Sequence, residues 1–275
     1  MPDKDLFPIA IFAGRGQLPK ILIDDCLEKK REFKLFLLEK EDYEIDYSLH
    51  NPTTIGYGEV DRFLEILKSL KIQHIVFIGA VNKPNFSNLK VDKSGAILVA
   101  KIIANKILGD NAVLNTVIKF FEKAGFKILR IDQILDCVIS DKITITHKIP
   151  NKLDFEAITL GAKAIKHFSK YDVGQAVVVS QKQIIAIEAL EGTDNMIERC
   201  KNFKVDFYKD AILIKMKKHT QNTKADLPTI GVNTIQNCKD ANISGIAIQA
   251  NHTLILEKEK IIELANKLNI FITII

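Results

Sequence analysis

Three stretches of this 275-residue chain combine residue types that can do chemistry. The first is "KMKKHTQNTKADLPTIG", Lys215 to Gly231. Lys215, Lys217, Lys218 and Lys224 can surround a pyrophosphate with point charges, which stabilises negative charge as it develops. Gln221 and Asn222 can hydrogen-bond a sugar or a base. Asp226 can position a water or a metal ion, held on the stiff corner that Pro228 and Gly231 make. A basic solvated loop with Asp226 in a turn would use the same residues. The second stretch is "AIEALEGTDNMIER", Ala186 to Arg199. Glu188, Glu191 and Asp194 gather there at a strand-to-helix junction, and carboxylates at such a place supply hard oxygen ligands for Mg²⁺. The alternative is that Thr193 or Asp194 caps the helix. The third is "AGRGQLP", Ala13 to Pro19, a glycine turn that opens a helix and offers backbone N–H groups to phosphate. A tight turn that simply requires glycine would use the same residues. A dinucleotide fingerprint would have a third glycine where Pro19 stands, so a nicotinamide cofactor is not expected.

The elements that must carry these stretches follow from periodicity. "FPIAIFA" is a strand, residues from Leu18 to about Lys30 read as a helix, and "FKLFLLE" is a second strand, an opening that predicts a parallel sheet. A helix over about 59–71, the strand "HIVFIGAV", helices over about 95–108 and 111–124, and the strand "GFKILRI" follow. The later part begins with a helix over about 155–168 and two strands around the turn "SQKQ". A helix from "GTDN", the strand "DAILIKM", a helix over about 232–241, the strands "SGIAIQA" and "TLILE", a helix over about 258–268 and the strand "IFITII" complete it. The fold class is therefore α/β with two α/β domains. The N-terminal one, 1–132, is Rossmann-like with a mainly parallel sheet; 133–153 is a linker region; the C-terminal one, 154–275, has a mixed sheet and carries the lysine-rich loop.

Composition narrows the function. A net charge of +5 favours an anionic ligand or membrane face and falls well short of a nucleic-acid binder. Cys26, Cys137, Cys200 and Cys238 form no CxxC pair and read as core residues. His167, His219 and His252 have no metal-ligand spacing, and GxSxG, GxxxxGK[ST] and HExxH are absent. No apolar run reaches the length of a membrane span, and the N-terminus reads as a first strand rather than a signal peptide, so the expected location is the cytoplasm.

Five motifs in order give a resemblance: "IFAGRGQLP", "DVGQAVVV", "AIEALEGTDNMIER", "KMKKHTQNTKADLPTIG" and "GIAIQANHTLIL". Together they span nearly the whole chain, and the chain resembles the UDP-2,3-diacylglucosamine pyrophosphatases of the LpxI type. The resemblance implies hydrolysis of UDP-2,3-diacylglucosamine to UMP and 2,3-diacylglucosamine 1-phosphate (lipid X) in lipid A biosynthesis, with water attacking the β-phosphate and Mg²⁺ as the divalent cation. It implies that Asp226 is catalytic and that Asp226, Asp194 and Glu191 form the metal set. Gly14, Gly16, Gln17, Thr193, Lys215, Lys217, Gln221, Lys224 and Thr229 would then contact substrate. Expected partners are the glycolipid, inner-membrane lipid at its cytoplasmic face, and a second copy in a homodimer; nucleic acid is not among them. A non-catalytic binder of nucleotide-sugars or acyl-lipids is the alternative.

The chain departs from the family pattern at His219, Asn222 and Lys224, where the family has Pro, Asp and Arg. The charge pattern of the loop survives these changes. Asn222→Asp together with Lys224→Arg is therefore expected to leave turnover of the purified chain unchanged within about twofold, the scale of a small transition-state difference. A large gain would show instead that this copy is impaired.

Overall fold

The computed structural model describes residues 7–82, 89–105, 110–171, 173–203, 210–218 and 227–275. The described residues up to Leu135 form one compact unit and those from Asp136 form another.

The first unit runs β1 (Ile9–Ala13), α1 (Leu18–Glu28), β2 (Phe33–Leu38), β3 (Thr53–Ile55), α2 (Val60–Ser69), β4 (His74–Ile78), α3 (Lys93–Asn105), α4 (Asp110–Lys123) and β5 (Lys127–Ile128). Its five strands lie in the order β3-β2-β1-β4-β5, and every pairing is parallel. Strand β1 is apolar on both faces because a parallel sheet is covered on both. On one face Ala10, Phe36 and Ile75 meet Phe63 and Leu67 of α2, Leu98 and Ile102 of α3, and Phe121 of α4. The Phe63 ring is the hub, edge-on to Phe12, Phe36 and Phe121. The apolar residues of α2 recur at i, i+3, i+4 and i+7, which is why this helix was legible. Two details differ from the expectation. "GFKILRI" keeps only two strand residues, because the chain enters a 3₁₀ turn at Ile131. The edge strand β3 is too short to leave a periodic signal.

The second unit runs α5 (Lys152–Phe168), β6 (Ala176–Ser180), β7 (Gln183–Ile187), α6 (Gly192–Cys200), β8 (Ala211–Lys215), β9 (Thr229–Ile230), α7 (Val232–Asp240), β10 (Ile243–Ile248), β11 (Leu254–Ile255), α8 (Lys258–Lys267) and β12 (Phe271–Ile274). Its main sheet has the order β12-β10-β8-β6-β7, parallel from β12 to β8 and antiparallel beyond, so it is mixed as expected. Strand alternation sorts the core. Val178, Leu213 and Ile246 face α6, α7 and α8, whereas Val177, Ile212 and Ile214 face α5. Helix α5 starts at Lys152, three residues before the expected start, because Asn151 accepts from the N–H groups of Leu153 and Asp154 while Asp154 accepts from Asn151 N–H. Residues before α5 run along this unit: Ile145 N–H donates to Ile272 O at 3.0 Å and Ile255 N–H to Cys137 O at 2.7 Å.

All four cysteines are buried free thiols, as core residues should be. Burial pushes the thiols of Cys26 and Cys200 up to about 11, which keeps them unreactive. Among the described residues no helix is long and apolar enough to cross a membrane.

Gly245 sits opposite Phe271 across β10 and β12, and a Cβ there would lie 2.1 Å from the Phe271 ring. The ring is fully buried and has nowhere to go. Gly245→Ala is expected to destabilise the second unit by about 1–3 kcal/mol through overpacking, read from the urea midpoint of the full chain. An unchanged midpoint would refute this packing.

Candidate active site

The lysine-rich loop leaves the main sheet at the end of β8 and ends in β9, which pairs parallel with β11 in a separate two-stranded sheet. Lys215, the last residue of β8, is buried and its ammonium donates to the Thr229 carbonyl at 2.8 Å. It therefore ties the two ends of the loop together. Thr229 closes the returning end, its hydroxyl donating to Leu227 O at 3.1 Å. Backbone bonds to β11 complete that arm, Leu254 N–H to Pro228 O at 2.8 Å and Leu256 N–H to Ile230 O at 3.1 Å. On the leaving arm, Met216 N–H donates to Gln175 O at 2.9 Å and Lys217 N–H to Gln249 Oε1 at 3.0 Å. His219, Gln221, Asn222, Lys224 and Asp226 lie outside the described residues.

Beside the leaving arm is a cavity of about 430 Å³. Lys217 and Lys218 line it together with Lys166, His167 and Lys170 at the end of α5 and His252 in the turn after β10. None of its lining residues is a carboxylate. His167 is oriented through Nδ1, 3.0 Å from Lys163 O; a carbonyl only accepts, so that nitrogen carries the hydrogen and Nε2 is left for another partner. Cations are favoured at this place for a local reason too, since Lys166 and His167 lie in the last turn of α5, at the negative end of its dipole. A concave site lined only by cationic, protonatable and neutral groups attracts phosphate esters. Lys217 and Lys218 are the lysines that the sequence singled out here; Lys166 and Lys170 were missed, and His167 and His252 were weighed only as metal ligands. The run "KHFSK" at a helix end was the available signal.

The junction "EALEGTD" uses its acids differently from one another. Glu188 is buried, and its carboxylate accepts from Gln175 N–H at 3.0 Å and from the Thr193 hydroxyl at 3.1 Å. A Cβ on Gly174 would lie 2.0 Å from Glu188 O, so "DVGQ" and "EALEGTD" are packed into one corner. Thr193 is thereby turned inward, and neither it nor Asp194 caps α6: the cap position is Glu191, with no side-chain cap bond. The reason is that the helix begins at Gly192, so Thr193 and Asp194 already lie inside its first turn. Glu191 accepts from Ala189 N–H at 3.2 Å and pairs with Arg199 at 3.1 Å. Its own N–H, the Arg199 guanidinium and Ala189 N–H hold its carboxyl below the usual glutamate range. Asp194 is exposed and takes one long bond of 3.5 Å from Asn237. Of the expected cation ligands among the described residues, Asp194 keeps oxygens to offer, whereas Glu191 is engaged by Arg199. Among the described residues no group of three or more His, Cys, Asp or Glu side chains is arranged around a metal position.

The glycine turn after β1 lies in the first unit, at the point where the strand order reverses between β1 and β4. Its first three N–H groups are already in use. Gly14 N–H donates to Ile78 O at 2.7 Å, and Arg15 and Ala80 exchange bonds of 2.7 and 3.1 Å. Gly16, at φ +94°, donates its N–H to Glu44 Oε2 at 3.0 Å. A Cβ on Gly14 would lie 2.3 Å from Ala80 O, so Gly14 serves the close approach of two loops. Gln17 is exposed and makes no side-chain cap bond. Arg15 pairs with buried Glu41 at 3.2 Å and donates to Asn82 Oδ1 at 2.9 Å. Glu41 also accepts from Asn82 N–H at 2.8 Å and from the Tyr57 hydroxyl. Burial, followed by the bond to Glu41, pushes the Tyr57 phenol well up, so it stays a donor. Glu41, Tyr57 and Asn82 were not singled out from the sequence, because nothing local marks a partner 41 residues away.

Comparison with known proteins gives two family matches in order. Residues 8–138 match the LpxI N-terminal domain, and residues 141–273 match the LpxI C-terminal domain. The chain is also similar to the UDP-2,3-diacylglucosamine pyrophosphatase LpxI of Caulobacter vibrioides, 29% identical over 270 residues that cover 96% of each chain.

Glu188 organises the acidic corner. Glu188→Ala removes the acceptor of the half-buried Gln175 N–H and Thr193 hydroxyl, and is expected to cost about 1–3 kcal/mol of unfolding free energy. Equilibrium urea unfolding measures it. A loss near zero would mean that the corner does not depend on this carboxylate.

Proposed function

The chain belongs to the LpxI family, and we propose that it hydrolyses the pyrophosphate bond of UDP-2,3-diacylglucosamine to UMP and 2,3-diacylglucosamine 1-phosphate, in lipid A biosynthesis. The observation that carries this reading is the ordered match of both domain families, one to each unit. The cationic cavity at the start of the lysine-rich loop supports it physically, because a pyrophosphate needs its charge offset while the bond breaks.

In the proposed reaction a water oxygen bonds to the sugar-side phosphorus. The bond from that phosphorus to the bridging oxygen breaks, and UMP leaves with the bridging oxygen. Lys217 and Lys218 hold phosphoryl oxygens at the cavity, with Lys166 and Lys170 across from them. Lys224 and Gln221 of the same loop add a charge and a polar contact. Asp226, two residues before Pro228 in the sequence, serves the attacking water. A divalent cation, Mg²⁺ in this reading, supplies Lewis-acid charge neutralisation when bound. Asp194 and Asp226 would hold it. Lys215 and Thr229 act one step back by fixing the loop ends. Thr193 acts through Glu188 by shaping the acidic corner. The enzyme is proposed to work at the cytoplasmic face of the membrane that holds its substrate.

The test is a product assay on the full chain with UDP-2,3-diacylglucosamine and Mg²⁺ in ¹⁸O-enriched water. UMP and lipid X are expected, with ¹⁸O in lipid X. EDTA is expected to stop turnover, and Asp226→Ala to lower it by at least about a thousandfold, the scale of losing a group needed in the transition state. ¹⁸O in UMP would overturn the site of attack. Binding of substrate without product would favour the non-catalytic reading.

A further inference from the structure

We infer that the exposed face of α3 is a docking surface for an anionic lipid bilayer. The helix reads KSGAILVAKIIAN and contains no acid. Leu98 and Ile102 point inward and join the core of the first unit. Gly95 allows a close seat, since a Cβ there would lie 2.0 Å from Gly58 O. The opposite side carries Ala96, Ile97, Ala100, Ile103 and Ala104, all exposed. That spacing is a single apolar stripe two turns long, and Ile97 and Ile103 are 46% and 51% exposed. A helix packed by one face normally presents polar residues on the other, so a stripe of this kind marks an interaction surface.

The rim of the stripe is cationic. Lys93 and Lys101 are exposed on α3 itself. Lys101 also borders a cavity of about 370 Å³ together with Lys119 and Lys123 of α4. Its ammonium lies 5.6 Å from the centre of the Phe120 ring, which leaves the stem along apolar surface. None of the residues lining this cavity is a carboxylate. An apolar stripe beside several lysines suits the boundary between acyl chains and anionic headgroups, where each lysine adds attraction and each apolar side chain adds burial. A second copy of the chain suits it less, because a two-fold contact through this face would set the same lysines against each other. The inference stands on the α3 face. The hydrolase reading contributes only the point that a diacylated substrate resides in a bilayer.

The experiment is co-sedimentation of the full chain with vesicles of phosphatidylcholine alone and with added phosphatidylglycerol, at low and high salt. The wild type is expected to sediment with the anionic vesicles and to be released by salt. Ile97→Glu with Ile103→Glu is expected to lower its partition coefficient by about tenfold. The milder pair Ile97→Ser with Ile103→Ser is expected to lower it by a smaller factor while keeping the wild-type melting curve. Lys101→Glu with Lys119→Glu should lower it by about tenfold on anionic vesicles only. Leu190→Glu, at a residue 98% exposed in the other unit, should leave it unchanged. The inference is overturned if the wild type ignores both vesicles, if all variants bind alike, or if the α3 variants change only self-association in light scattering. Turnover of micelle-dispersed substrate is measured in parallel. Vesicle binding that follows α3 with no turnover would sink the hydrolase reading and leave the docking surface standing.

Discussion

A lysine buried at the end of a central strand has to find an acceptor, and that requirement shapes the second unit. Lys215 sits where β8 leaves the sheet, and its ammonium finds the Thr229 carbonyl. A charged donor lost from a buried site costs more than a neutral one, so this bond fixes which residue lies beside the end of β8. The lysine-rich loop is consequently pinned at both feet. On the returning side Thr229 and Ile230 pair with Leu254 and Ile255 of β11 in a separate two-stranded sheet.

The other motifs depend on the same economy of buried polar groups. Glu188 is drawn inward and organises Gln175 and Thr193, whereas Glu191 is drawn to Arg199. Asp194 is the acid of this corner that stays exposed. Three carboxylates within seven residues thus have three different environments, set by what crosses over them and not by their spacing. In the first unit the glycine turn obeys a similar rule. Two loops approach closely because Gly14 has no Cβ, and their N–H groups are spent on each other. Glu44 takes the N–H of Gly16, so an anion approaching that N–H would compete with a carboxylate already there. The Arg15–Glu41 pair behind it is buried on the glutamate side, where it also collects Tyr57 and Asn82.

These placements give the pyrophosphatase reading a physical form. Phosphate-bearing substrate needs concentrated positive charge near a mobile reacting bond, and the end of α5 supplies it beside the loop. A diacylated substrate needs an enzyme that can meet a membrane, and α3 presents apolar residues bordered by lysines. The two features sit in different units.

The sequence by itself determined the α/β alternation in both halves, the parallel first sheet and the mixed second one, and the buried cysteines. Those properties follow from apolar periodicity over a few residues, which neighbours along the chain impose. It also determined the ordered motifs that place the chain in its family. Only the tertiary structure decided that Lys215 is a tether, that Thr193 faces Glu188, and that Gly14 packs against Ala80. It likewise decided that Lys166, Lys170 and His252 join Lys217 around one cavity. The β3 strand and the truncated β5 belong to this second group, since edge strands take their length from the partner they pair with. The physical reason is common to all of these. A polar group's partner is chosen by burial and by which strands lie side by side, and neither is written in the spacing of residues along the chain.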